Sequence, residues 1–259
     1  MKLKIYLSLL LLSISFSAWS GNLTEAADSA YMKENYAEAI DLYNKAISEE
    51  GVSSTLYYNL GNAYYRNGQK GKAILNYSRA LRLDPANEDA AINLEFVKTK
   101  IVDKQEDNLS LIEKVDNNIV TFTSADNWAI LSIVLFTLLL LCVAGYIFMN
   151  EVKFRKISFF TGIIFVVILI FSLIYTFKSA KRVVNNNGAI IIVESVQLGT
   201  SPRVPKDKSE QAFFLHEGTR LEIVDSLRNN SDTENPLWYE VKVDNLHRAW
   251  ISAKNVEKI

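Results

Sequence analysis

Apolar residues follow three different rhythms along this chain. Between residues 21 and 104 they return at helical spacing, as Ala30, Ala39, Ile40, Tyr43 and Ala46 and then Leu60, Tyr64, Ala73, Tyr77 and Ala80. Such spacing predicts short amphipathic helices with one buried stripe. The polar stripe then disappears. Neither 128–149 nor 157–177 contains a charged residue, and at ~1.5 Å per residue each run can cross ~30 Å of hydrocarbon, which predicts two transmembrane helices. After residue 188 the period shortens to two: 189–193, 218–224 and 238–243 are alternating runs rich in β-branched residues, predicting a small antiparallel β-domain over 189–259.

Charge placement turns the apolar runs into a topology. Residues 1–20 carry Lys2 and Lys4, an apolar stretch from Ile5 to Phe16, and the small-residue pattern Ala18, Trp19, Ser20. That order predicts a secretory signal peptide cut near Ser20, or an uncleaved anchor; either exports the residues after it. Lys153, Arg155 and Lys156 fall in the 150–156 segment between the spans, whereas Lys114 is the sole basic residue from Asp107 to Asn127. The positive-inside rule then makes 150–156 a cytoplasmic turn. Lys178, Lys181 and Arg182, in the 178–188 linker, oppose that charge argument, but two crossings return an exported chain to the side it left. Within the 105–127 connector, Leu111, Ile112, Val115 and Ile119 have near-helical spacing, as expected of a helix lying at the membrane interface or packed on the preceding helices.

Residues 54–87 read STLYYNLGNAYYRNGQKGKAILNYSRALRLDPAN, which closely resembles a tetratricopeptide repeat. Leu60, Gly61, Tyr64, Gly68, Ala73, Tyr77, Ala80 and Pro85 carry the likeness. Gly61 and Ala73 let two antiparallel helices approach; Leu60, Tyr64, Tyr77 and Leu81 fill the seam; Pro85 stops the second helix. Residues 20–53 repeat the pattern more faintly, with Ala26 and Ala27 in place of the Leu-Gly pair, and 88–104 begins a third unit, read as a cap. The resemblance implies a groove for an extended peptide or protein segment. Asp28, Tyr31, Asn62, Tyr65, Arg66, Phe96 and Lys100 are the candidates to line it, or else ordinary surface and packing residues.

Residues 215–224, 238–241 and 249–251 are similar in order to a bacterial SH3-like domain, although Ala249 stands where such domains usually have Gly. The implied fold is a small barrel. Phe213, Trp238 and Trp250 are its candidate groove aromatics, with core packing the alternative role and peptidoglycan or its peptide stems an implied ligand.

Composition narrows the chemistry. A formal net charge of -1 without a Lys/Arg run argues against nucleic acid as a partner. Cys142, the only cysteine, lies in an apolar run, so neither a disulfide framework nor a cysteine metal site is expected. His216 and His247 have no neighbouring Cys or Ser/Asp constellation and read as loop histidines. Residues 68–72, GQKGK, lack the spacing of a phosphate loop and belong to a turn between repeat helices. No cofactor, metal site or catalytic residue is expected, and the chain reads as a non-enzymatic adaptor.

The full order (signal peptide, repeat array, two-span hairpin, SH3-like domain) resembles the BatE-type proteins of bacterial aerotolerance operons. That resemblance implies an inner-membrane protein with both soluble domains periplasmic. It also implies partners: membrane proteins bearing von Willebrand factor A domains and a MoxR-type AAA ATPase. Reporter fusions at Asp103 and Asn186 test the topology, and both are expected to report an extracytoplasmic location.

Overall fold

The computed structural model describes residues 22–103, 111–184, 187–228, 236–244 and 246–259. The expected signal peptide, the Asn186 fusion position and the 104–110 stretch lie outside them. The chain divides into two compact units. One holds residues 22–80, 89–103 and 188–259; the other holds 81–88 and the described part of 106–187. Helices and β-domain, distant in sequence, therefore share a unit.

Five helices, α1 (Asn22–Met32), α2 (Tyr36–Glu50), α3 (Ser54–Arg66), α4 (Lys70–Leu83) and α5 (Glu88–Lys98), make the array. Their buried positions keep the expected period: Ala27, Ala39, Tyr43 and Ala46, then Leu60, Gly61, Tyr64, Ala73, Tyr77 and Ala80, then Ala90, Leu94 and Val97. Ser53 caps α3 by accepting a hydrogen bond from the Leu56 N–H at 3.1 Å. Gly61 is needed for close approach, because a Cβ there would lie 2.8 Å from the ring of Tyr77, which is 1% exposed. Leu81, expected in the seam, is only half-buried. The cap helix stops at Lys98, short of residue 104.

The turn inside each repeat is built twice with the same bonds, offset by the repeat length. In the first, Glu34 N–H donates to the Tyr31 carbonyl and Asn35 N–H to that of Ala30; in the second, Gly68 N–H donates to Tyr65 and Gln69 N–H to Tyr64. Both turns need left-handed backbone. Gly68 takes it at φ +81° without cost, whereas Glu34 sits at φ 61° with a Cβ to accommodate.

Seven strands, β1 (Gly188–Ile191), β2 (Ser195–Gly199), β3 (Gln211–His216), β4 (Arg220–Arg228), β5 (Leu237–Lys242), β6 (Arg248–Ser252) and β7 (Val256–Lys258), form one sheet of order β3-β2-β6-β5-β4-β1-β7. Every neighbouring pair is antiparallel. The hydrogen-bonded ladder ends at β3 and β7, so the sheet is open where a closed barrel was expected. Its core is Ala189, Ile191, Leu198, Leu221, Ile223, Val241, Ala249, Ile251 and Val256. Strands β2, β3, β6 and β7 were not among the predicted strands, because such short strands lack a clean apolar alternation.

The second unit contains α6 (Leu111–Thr121), α7 (Ala125–Phe148) and α8 (Val152–Val184). The latter two are long and apolar enough to cross a membrane. Neither helix coincides with its apolar run. Ser124 caps α7 ahead of Trp128, and α8 absorbs Lys153, Arg155 and Lys156 as well as 178–184. Lys and Arg are good helix formers, and Lys181 and Arg182 suit the negative end of the helix dipole. Residues 149–151 alone connect the helices.

Small residues line the contact between α7 and α8. A Cβ on Gly145 would stand 2.8 Å from Ser158 Oγ, while Ser132 Oγ lies 2.8 Å from Ser172 Oγ and the Ser172 hydroxyl donates to the Trp128 carbonyl. Close backbones and interhelical hydroxyls are how helices associate where no hydrophobic gain separates them from lipid. Helix α6 packs on this pair: Val120 is buried with Trp128 and Tyr175, and Asp116 accepts from Lys178 Nζ at 2.6 Å and Tyr175 Oη at 3.2 Å.

Glu34→Gly should relieve the first turn. Removing the ~1–2 kcal/mol left-handed cost, less the unfolded-state entropy that Gly adds, predicts a gain of about 0.5–1 kcal/mol. Thermal melting of the full chain should show a midpoint higher by about 1–3 °C.

A candidate partner-binding groove

The first helix of each repeat, α1, α3 and α5, presents four side-chain clusters. Asp28 Oδ1 accepts hydrogen bonds from Tyr43 Oη at 2.5 Å and Asn59 Nδ2 at 3.4 Å. Asn62 Oδ1 accepts from Tyr77 Oη at 2.7 Å and Asn93 Nδ2 at 2.9 Å. Tyr31 meets Tyr36 edge-to-face at 5.4 Å, and Arg66 lies over the Tyr36 ring at 5.5 Å while its Nε donates to Tyr36 Oη. Tyr65 meets Phe96 edge-to-face at 5.8 Å, with Lys100 Nζ 5.2 Å from the Phe96 centroid.

All seven sequence candidates thus enter one of these clusters. Of the rest of the framework, Tyr43 and Tyr77 read from the sequence as helix-packing positions only, and Tyr36, Asn59 and Asn93 were not among the groove candidates. Its signal was present, since Tyr43 and Tyr77, and likewise Asn59 and Asn93, are one repeat length apart. Tyr43 and Tyr77 each come from the second helix of a repeat and hold an acceptor on the first. Burial raises both phenols above the ordinary tyrosine value, so they stay protonated donors at neutral pH. Asn59 and Asn93 reach back from the following repeat, which fixes the spacing of α1, α3 and α5.

Between the first two repeats a cavity of about 320 Å³ opens, lined by Asp28, Tyr31, Met32, Tyr43, Asn59 and Asn62. Met32 is 83% exposed at its mouth. Carboxylate, amides, phenols and a thioether stand together here, a mixture suited to a protein segment.

The β-domain candidates do not gather in the same way. Trp238 is 3% exposed on β5, a central strand between β4 and β6, so it is a packing residue and not a groove surface. A sheet this small must bury its largest side chain. Phe213 is half-buried beside His247 at 5.6 Å, and Trp250 is half-buried opposite Gly199 and Glu240. Phe214, not selected from the sequence, is the exposed aromatic of β3, edge-to-face with His216 at 5.2 Å.

Of the two histidines expected in loops, His247 lies in one and His216 does not. His216 ends β3 and faces Asp103, with Nδ1 3.1 Å from Oδ1. Asp103 Oδ2 accepts from the His216 N–H at 2.6 Å and the Thr219 hydroxyl at 2.8 Å. Thr219 therefore bonds the carboxylate and the His216 carbonyl, and not the imidazole. His247 is exposed, its ring held by Asp244.

Asp103 belongs to a seam joining array and sheet. In the first turn of α4, Gly71 N–H donates to Glu217 Oε2 at 3.0 Å; the glycine-rich stretch thus meets an anion, but one supplied by its own chain. A Cβ on Gly71 would lie 2.6 Å from the Ile191 carbonyl oxygen, and one on Gly218 would meet Ile74 and Ile101 at 2.8 Å. Arg79 closes the seam by donating to the Lys258 carbonyl at 2.6 Å and pairing with Glu257 at 3.3 Å.

Comparison with known proteins agrees with the helical part. The tetratricopeptide repeat family model matches residues 54–87. Among solved structures, the chain is similar to the tetratricopeptide domain of Sgt2 from Aspergillus fumigatus, at 28% identity and a TM-score of 0.31, over 32% of this chain and 55% of that one. It thus spans about half the length of that relative. No curated protein matches it.

The Asp103 seam carries a pH signature. Burial pushes its carboxyl up, but the hydrogen bonds from the His216 backbone and the Thr219 hydroxyl outweigh this and hold it below its ordinary value. A depressed folded-state value adds stability that is fully present above the unfolded value of ~3.9 and is lost as pH falls through the folded one. Denaturant unfolding between pH 7 and pH 3 should show Asp103→Asn less stable at neutral pH. The variant's acid limb below about pH 4 should be shallower than that of the parent.

Proposed function

We propose that this chain is a non-enzymatic, membrane-anchored adaptor whose repeat groove holds an extended segment of a protein partner. The observation that carries this reading is the pair of repeated hydrogen-bonded clusters on α1, α3 and α5, which fix an aromatic and amide-rich surface beside an open cavity. Tetratricopeptide repeats are protein-interaction modules, and the family match at 54–87 supports the assignment.

Anchoring rests on α7 and α8, whose outward faces expose Ile130, Ile133, Phe136, Leu141, Ile164 and Phe171. Among the described residues, the stretches flanking this hairpin, up to Asp103 and from Gly188, belong to one folded unit. In this reading the helices enter and return on the same side, with Lys153, Arg155 and Lys156 at the far end; support comes from the flanking stretches sharing one unit, which a bilayer would not divide. Export through residues 1–20 makes that shared side extracytoplasmic.

The reading extends to the BatE-type architecture, with the open sheet as a variant of the SH3-like domain. Its role is then that of a scaffold in an inner-membrane, aerotolerance-type complex, with von Willebrand factor A-domain proteins and a MoxR-type ATPase as partners. Peptidoglycan binding by the β-domain is the lesser reading, because burial of Trp238 removes one of the three aromatics it requires.

Crosslinking in native membranes followed by affinity purification of the full chain tests the groove. The Asn62→Ala/Tyr65→Ala pair should reduce recovery of a specific membrane-protein partner at least tenfold while the variant stays in the membrane fraction. Equal recovery from parent and variant would sink the groove as the contact surface.

A further inference from the structure

The first of the two groove clusters carries a charge that its architecture does not require. Asp28 and Asn62 occupy equivalent positions one repeat apart, and each accepts from a tyrosine of its own second helix and an asparagine of the next repeat. The tyrosine distances are 2.5 and 2.7 Å, and the asparagine distances 3.4 and 2.9 Å. A neutral amide does this structural work in the second repeat, so packing does not explain a carboxylate in the first.

Ligand chemistry does explain it. Both hydrogen bonds reach Asp28 at Oδ1, which leaves Oδ2 for another donor. Asp28 lines the 320 Å³ cavity together with Tyr31 and Tyr43. Among the described residues no cation lies within ion-pair distance of it: Arg66 is held on Tyr36, and the salt bridges of this unit lie elsewhere. A half-buried carboxylate beside aromatic rings and without a counter-ion is set up for an incoming positive charge. We propose that this cavity takes a basic side chain, a lysine ammonium or an arginine guanidinium, from the protein segment that the groove holds. Asp28 Oδ2 is its counter-ion, and the Tyr31 and Tyr43 rings are its aromatic walls. The thioether of Met32, at the mouth, covers the aliphatic part of the guest side chain. This deepens the adaptor reading and rests on it.

Asp28→Asn is the informative variant, because the second repeat shows that asparagine satisfies the same tyrosine and asparagine donors. A displayed random-peptide library is selected on the full-length protein in detergent, and enriched peptides are then titrated against the parent, Asp28→Asn and the Asn62→Ala/Tyr65→Ala pair. The expected result is a lysine or arginine common to one position of the enriched peptides, with binding at least tenfold weaker on Asp28→Asn. Replacing that residue by norleucine should weaken binding to the parent by a similar factor and leave binding to Asp28→Asn unchanged. Basic peptides that bind Asp28→Asn within twofold of the parent, or enriched peptides with no common basic residue, would overturn the cation site while loss of binding to Asn62→Ala/Tyr65→Ala preserved the groove. If that pair binds as the parent does, or no peptide is enriched, the groove reading falls and this proposal with it.

Discussion

The first turn of α4 rests on the backbone of the β-domain, and much of the molecule's organisation depends on that contact. Gly71 stands against the Ile191 carbonyl at a distance no side chain would tolerate, while its N–H is taken by Glu217. Gly218 is held as closely by Ile74 and Ile101, and Asp103 ties the end of the array to His216 and Thr219. Short polar contacts around a tight backbone approach make a rigid seam, because each donor has a fixed acceptor and no slack remains for sliding. With the seam formed, the stretches on both sides of the apolar hairpin belong to one body.

Internal repetition supplies a second kind of argument, since the chain contains its own control. At Tyr43 and Tyr77, and at Asn59 and Asn93, the repeats agree and the shared residue meets a structural demand: the tyrosines hold the inner helices, and the asparagines set their spacing. Two of the disagreements differ in kind. Glu34 in the place of Gly68 is a local strain with no visible compensation. Asp28 in the place of Asn62 strains nothing, adds a charge to a cavity wall and leaves an oxygen unused. The first bears on the backbone of a turn; the second bears on the charge of the cavity wall.

The two helices long and apolar enough to cross a membrane pack by a different rule. Their outward faces expose large apolar side chains, while the contact between them is built from Gly145, Gly162, Ser132 and Ser172. In lipid such an arrangement is favourable, because packing and hydroxyl bonds are the interactions left once hydrophobic burial no longer discriminates. Helix α6 completes that unit by covering Trp128 and Tyr175 and holding Lys178 through Asp116. Of the two placements considered for the connector, neither anticipated that its apolar side would meet the hairpin itself.

Periodicity alone determined much of this protein. A contiguous repeat of Tyr, Ala and Gly reads as paired helices, and an uninterrupted apolar run reads as a lipid-length helix, because both depend on neighbours a few residues away. The side chains proposed for the groove were legible for the same reason: repeat register assigns a face to each position. Tertiary structure decided what depends on distant partners. Trp238 reads alike as a binding aromatic or a core residue until its strand is seen at the centre of the sheet. Whether β3 and β7 meet is set by curvature over the whole sheet and not by either strand. Asp103 and His216 look unrelated in the chain, and the seam that joins them exists only because two backbone surfaces, each cleared by a glycine, fit against one another.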